Sequence, residues 1–412
     1  MLKRASLVPP AYCRNWQGVK CNQLNEVIEL DLSSLATKGL PPSSLKQPIQ
    51  LASLAPLLRK MQSLQLLSLA NNSRILAGPL PEDFADISSL KTLNLSGSAG
   101  LARKISKLYA ALSNLQVLGV SDCDLTGGLP DSFVALQRLQ VLRASGNKRL
   151  GGALPQLYGL LQSLRMLDVA SSGLSGALPL QAWSEAAAMR AAASAALAAA
   201  RADAEAAAAA LDEAKGTPGR TNASQSTGIV STAAATAAVA VPANSPERRK
   251  MITAAALQLY ASKQPVAALQ DGASTPRTRA SRLIGLAGSL EVLVLSGNRL
   301  TGGISGLPGL KRLSVVDLSS NMMQGQLPAQ LAALAPTLKE LRLAGNQLSG
   351  KLPDAFVQLA ALEELRLAGN QLSGKLPDAF VQLAALEVLD LSRNALKGGL
   401  PPTWQAWHSC GS

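Results

Sequence analysis

Residues Glu340–Glu363 read ELRLAGNQLSGKLPDAFVQLAALE, and Glu364–Glu387 read the same 24 letters again without a mismatch. Only a unit that stacks on copies of itself accommodates a perfect tandem copy, so this stretch fixes the period of the fold. Aligned outward from it, the rest of the chain repeats the form LxxLxLxxN followed by xLxGxLP. Units start at Val27, Leu64, Leu90, Leu115, Leu139 and Leu164, and after an interruption at Leu290, Leu313, Leu338, Leu362 and Leu386. Within each run after Leu64 the spacing is 23 to 26 residues. The longer step from Val27 to Leu64 predicts an extra loop.

Each position has a physical reason. The LxxLxL residues alternate with period two, which predicts a short strand with leucines inward and the intervening residues outward. Stacked in parallel about 4.8 Å apart, eleven such strands give a face about 50 Å long. The ninth-position Asn turns inward, where its amide can satisfy backbone groups that no strand partner reaches. Asn72, Asn147, Asn298, Asn321, Asn346, Asn370 and Asn394 supply it, and Cys123 takes the place once. Ser98, Ser172 and Leu35 fit less well, which predicts local irregularity there. The second half of the unit appears as LAGPLP, LTGGLP, LGGALP, LSGALP, LSGKLP twice and LKGGLP. It places Gly at a tight bend and Pro after a short extended segment.

This L-x-G-x-L-P half resembles the plant-type class of leucine-rich repeats, found in receptor-like kinases, receptor-like proteins and polygalacturonase-inhibiting proteins. The resemblance implies an α/β repeat fold, a leucine-rich-repeat solenoid with a parallel β-sheet on its concave face. It also implies a second short strand per unit. The segment Cys13-Arg-Asn-Trp16-Gln-Gly18-Val19-Lys-Cys21 resembles the N-terminal cap of that family. By that resemblance a Cys13–Cys21 disulfide holds the cap closed and Trp16 covers the open end of the first repeat. If the thiols stay reduced, the cap is an unlinked loop instead.

Between the two runs the leucine period vanishes. Ser184 to Lys215 is Ala-rich and reads as a helix of about 30 residues, near 45 Å long. Gly216 to Glu247 reads as a disordered linker, and a short apolar helix is expected around Met251 to Ser262. The organisation is therefore a cap at 1–26, six repeats at 27–181, a helical and disordered insertion at 182–284, five repeats at 285–402, and a tail at 403–412. Trp404 and Trp407 in the tail are expected to cover the last repeat.

Composition bounds the function. Hydrophobic residues make up 47 % of the chain but aromatics only 3 %, which predicts a core of Leu, Val and Ala rather than large rings. The formal charge is +13, yet the densest basic run is only Arg248-Arg249-Lys250, so specific nucleic-acid binding is not expected. No segment is long and apolar enough for a transmembrane helix. The start, MLKRASLVPP, lacks the apolar run of a signal peptide, which leaves an intracellular protein or a start upstream of Met1 as the two expectations. With a single histidine, His408, and four cysteines, little is present from which to build a metal cluster or a His-based triad. No catalytic residue, metal or cofactor is assigned.

The expected function is non-catalytic recognition of a protein or peptide ligand on the concave face, like the ectodomain of a plant or green-algal receptor-like protein. A co-receptor is a further candidate partner and a glycan a further candidate ligand. The alternative is an intracellular structural or adaptor protein, for example in a cytoskeletal or ciliary assembly. Candidate ligand-binding residues at the outward strand position are Arg143, Asp168, Asp317, Arg342, Arg366 and Asp390, with Arg143, Arg342 and Arg366 suited to an acidic ligand. Structural residues are Cys13, Cys21, Trp16, Asn346 and Asn370. Asn71, Asn94 and Asn222 open N-x-S sequons. The perfect copy also sets Glu340 beside Glu364 and Arg342 beside Arg366, so a mild like-charge penalty is expected there.

Overall fold

The computed structural model describes residues 13, 16–35, 48–73, 75–101, 104–185 and 285–399. The chain divides into two compact units, Met1–Ala186 with Ile284–Ser412 and Ala187–Leu283. All described residues belong to the first. The expected insertion helices and linker and the tail tryptophans lie outside the described residues.

Leucine alternation produces the strands where it was read. Eleven parallel strands, from Val27–Asp31 to Val388–Asp390, join one strand of the cap in a 12-stranded sheet. Each three-residue strand of this sheet from Leu66–Ser68 to Glu364–Arg366 buries its middle residue and turns the flanking two outward, except where Gly119 is buried. Equal positions of successive repeats face each other, as in Val141↔Met166 and Val315↔Glu340. The same holds across the interruption, where Met166–Asp168 pairs with Val292–Val294.

A second set of short strands lies after the Asn. Gln324–Gln326, Gln347–Lys351, Gln371–Gly374 and Ala395–Leu396 form one four-stranded sheet, and Ser175–Ala177 pairs with Arg299–Thr301. The repeat's glycine is required here for two reasons. Gly350 holds φ +83°, and a Cβ on it would sit 2.9 Å from Cγ of Gln326 in the preceding repeat. Gly374 repeats this with φ +85° and 3.0 Å to Cγ of Lys351. A side-chain stem therefore crosses each glycine from the repeat before it.

The amides of the inward asparagines tie one repeat to the next. Asn346 donates to the carbonyls of Leu343 in its own repeat (3.0 Å) and Leu318 in the preceding one (2.9 Å). Its oxygen accepts the Met323 N–H at 3.0 Å. Asn370 does the same with Leu367, Leu343 and Leu348. At Ser172 the expected irregularity is not found, because Asn298 of the following repeat holds the Ser172 and Leu174 N–H groups. At Ser98 it is found: a 3₁₀ turn, Ala99–Leu101, follows, and among the described residues the second-strand pairing there is the single Lys104↔Thr126 bridge. Cys123 is buried and its Sγ donates to the Leu95 carbonyl at 3.1 Å, with burial pushing the thiol up to about 11.

Two expectations are corrected. The core is not ring-free: all four phenylalanines of the chain, Phe84, Phe133, Phe356 and Phe380, are fully buried, three residues after the LP proline of their repeat. Tyr109, Tyr158 and Trp183 fill the equivalent place in other repeats. Each of these three donates to the proline carbonyl of the repeat before it, at 2.9, 3.1 and 3.1 Å, which satisfies its polar end inside the core. Trp16, in contrast, is 55 % exposed rather than a lid. The cap closes through its backbone instead: Val19–Cys21 pairs antiparallel with Val27–Asp31, beside the Cys13–Cys21 disulfide.

Removing an asparagine, which both donates and accepts, is expected to cost more than removing Ser172, whose hydroxyl only donates, to the Ala144 and Ala170 carbonyls. Asn346→Ala leaves the buried Met323 N–H unmet, while the Leu318 and Leu343 carbonyls keep Asn321 and Asn370 as donors, and is expected to lose about 2 kcal/mol, against about 1 kcal/mol for Ser172→Ala. Urea unfolding of both variants measures the difference, and equal losses would contradict this account of the ladder.

Candidate functional site

The outward row of the large sheet is continuous because the strands pair in register. The first outward position reads Leu66, Thr92, Val117, Val141, Met166, Val292 and Val315 on seven consecutive strands, all half-buried. This stripe, apolar except for the Thr92 hydroxyl, crosses the point where the sequence is interrupted. Register, which the repeat period implies, is the signal that joins its residues.

The second outward position carries the expected charged residues, and the structure divides them. Three of the aspartates close the ends of their strands. Asp168, Asp317 and Asp390 accept the backbone N–H two residues on, from Ala170, Ser319 and Ser392. Hydrogen bonds from Ser392, side chain first and then backbone, hold the Asp390 carboxyl below its ordinary value. Asp168 also accepts from the Ser145 hydroxyl at 3.3 Å.

Arg342 and Arg366 face one another on adjacent strands, as do Glu340 and Glu364. The like-charge penalty expected from that register does not arise, because the guanidinium reaches diagonally. Arg342 Nε and Nη2 donate to the two oxygens of Glu364 at 2.6 and 2.8 Å, and Nη2 lies 2.7 Å from Glu340. Arg366 also donates to Glu364. The Arg342 hydrogen bonds are the main reason that the Glu364 carboxyl is held at about 2, from an ordinary 4.5, and they raise Arg342 in turn. Arg143 differs: it is exposed and has no ion pair among the described residues. Arg165, one residue before the next strand, is likewise exposed without one.

The remaining features are structural. Among the described residues, no three His, Cys, Asp or Glu side chains are grouped to hold a metal, and no helix is long and apolar enough to cross a membrane. The sequon residue Asn71 is exposed at φ +57°, whereas Asn94 sits in the outward row and accepts the Ser96 N–H; Asn222 lies outside the described residues.

Comparison with known proteins matches the repeats themselves. The family described as Leucine rich repeat matches residues 336–396, and a second description, Leucine Rich Repeat, matches 114–136 and 289–310. Receptor-like protein 54 of Arabidopsis thaliana is 38 % identical over 66 residues, 16 % of this chain and 8 % of that protein. The crystal structure of a TDR receptor is similar with a TM-score of 0.55 at 22 % identity, over 84 % of this chain and 41 % of that one. A plant ice-binding protein is similar with a TM-score of 0.51 at 20 % identity, over 94 % of this chain and 80 % of that one. The chain thus spans under half the length of Receptor-like protein 54 and of the TDR receptor chain. At these identities the two solved structures speak for the fold alone, the leucine-rich-repeat solenoid.

The diagonal network sets a pH dependence. Glu364 has a lowered folded-state pKa, so its contribution is present above about pH 4.5 and is lost as pH falls towards about 2. With Arg342 and Arg366 partly exposed, that contribution is expected to be about 1–2 kcal/mol. Glu364→Gln should lose it at neutral pH and flatten the stability profile between those two values. Chemical denaturation across pH 2–7 checks both.

Proposed function

We propose that this leucine-rich-repeat protein of the plant type is a non-catalytic recognition scaffold. It holds a peptide or protein loop on the open face of its large sheet and leaves signalling to a partner such as a co-receptor. The fold alone does not choose this, since it serves a receptor and an ice-binding protein alike. The observation that carries the reading is the apolar stripe from Leu66 to Val315, in register on seven strands and open to solvent on one side. An apolar row rimmed by polar groups is how interfaces are built, with a desolvated centre and a wet edge.

Within the charged row, Arg143 is the residue we assign to ligand contact. Arg342, Arg366 and Glu364 already satisfy one another, and the aspartates Asp168, Asp317 and Asp390 are engaged by their own backbone. The Cys13–Cys21 link favours an oxidising compartment and weighs against the intracellular adaptor reading.

Two measurements test this. A random-peptide display selection on the full chain is expected to enrich clones that Val141→Asp, with unchanged melting, no longer retains; clones retained equally would place binding elsewhere. Peptide mapping without reductant is expected to recover Cys13 linked to Cys21, and Cys123 as a thiol alkylated only after unfolding. Reduced Cys13 would remove the support for an extracellular site.

A further inference from the structure

We propose that the ligand of the stripe is a segment in polyproline II conformation, apolar at every third residue and acidic between. The proposal rests on the recognition reading above and narrows it to one class of partner. It follows from the spacing and the charge of the open face.

Stripe residues stand one per strand at the same register, so their spacing is the strand spacing, about 4.8 Å. A ligand lying along the stack crosses the strands, and its own repeat must match a multiple of that step. An extended β-strand presents one face every two residues, about 6.7 Å, which falls between one step and two. An α-helix advances about 5.4 Å per turn, so it drifts by roughly 0.6 Å at each strand and by more than 3 Å over six steps. Polyproline II has three residues per turn at about 3.1 Å each, or about 9.3 Å per turn, against about 9.6 Å for two strands. Over the six steps from Leu66 to Val315, three turns accumulate a mismatch of only about 1 Å. Polyproline II also arrives with little conformational entropy left to lose.

Its two remaining faces lie to either side of the stripe, and charge selects what they carry. Arg143 stands beside Val141 on one strand, and Arg165 precedes Met166 on the next. Both are exposed, and neither has an ion pair among the described residues. The carboxylate nearest in register, Asp168, faces Arg143, but it is occupied by the Ala170 N–H and the Ser145 hydroxyl. Carboxylates on the flanking positions of the ligand therefore meet two guanidinium groups at mid-stripe, each able to bind them in a fork.

The test uses three labelled synthetic peptides and the full chain, read by fluorescence anisotropy. The peptide (Val-Pro-Glu)4 has the required period. (Val-Val-Pro-Pro-Glu-Glu)2 keeps its composition but breaks the period, and (Val-Pro-Lys)4 keeps the period but inverts the charge. The first is expected to bind saturably and the other two at least tenfold more weakly. Arg143→Glu, folded by its melting curve, should weaken (Val-Pro-Glu)4 at least tenfold and improve (Val-Pro-Lys)4. Equal affinity for the broken-period peptide, or no saturable binding of (Val-Pro-Glu)4, would overturn the proposal. If displayed peptides without the three-residue period still enrich on the wild type and not on Val141→Asp, the recognition reading stands and only this narrowing fails. If no displayed peptide enriches, both fail.

Discussion

A side-chain amide in seven of the eleven repeats holds the stack together. A β-strand three residues long satisfies few backbone groups, and the chain must turn inward immediately after it, where water cannot reach. The asparagine answers this with two donors and one acceptor on a short, stiff stem. In Asn346 the donors span the carbonyls of two successive repeats and the acceptor takes an N–H from the earlier one. The same three-way tie recurs at Asn147, Asn298, Asn321, Asn370 and Asn394. Because every tie joins equivalent positions, equivalent residues end up side by side on the open face. The apolar stripe, the diagonal ion pairs and the position of Arg143 are all consequences of that register.

That dependence explains what the sequence could and could not reveal. Strand alternation, inward leucines and the asparagine row are properties of one repeat, so a period read along the chain exposes them. The buried ring is also periodic, at Phe84, Phe133, Phe356 and Phe380, but low aromatic content hid it: one ring per repeat is a small fraction of the composition. The Tyr and Trp variants were harder still, since their fitness depends on a proline carbonyl 28 residues earlier. Trp16 shows the opposite failure. Its motif was recognised, yet whether a ring lies on a hydrophobic end or beside it is a tertiary choice, and the backbone pairing of Val19–Cys21 had already closed that end.

The interruption illustrates how little each repeat asks of distant ones. Trp183 lies in the core on one side and Leu286 on the other, and the strands before and after still pair position for position. Each repeat contacts only its neighbours, so a long excursion is tolerated wherever both ends return to the same stack. The entropic cost of bringing together the ends of an inserted segment grows only with the logarithm of its length. The interruption follows the helical residues 180–185 and falls outside the strands Met166–Asp168 and Val292–Val294, so the register of the stripe is kept across it.

The duplicated module shows, finally, that identical sequence does not make identical chemistry. Pairing on this face runs from the arginine of one repeat to the glutamate of the next. Arg342 finds Glu364 there and is held by it. Arg366, its copy, faces a strand that offers Val388 and Asp390, and Asp390 is already bonded at Ser392. It turns back to Glu364 of its own strand and remains 45 % exposed. A copied repeat therefore neutralises the charge before it and presents its own at the new boundary. Position in the stack, set by the asparagine ladder, decides which of two identical arginines bridges two repeats and which pairs only within its own strand.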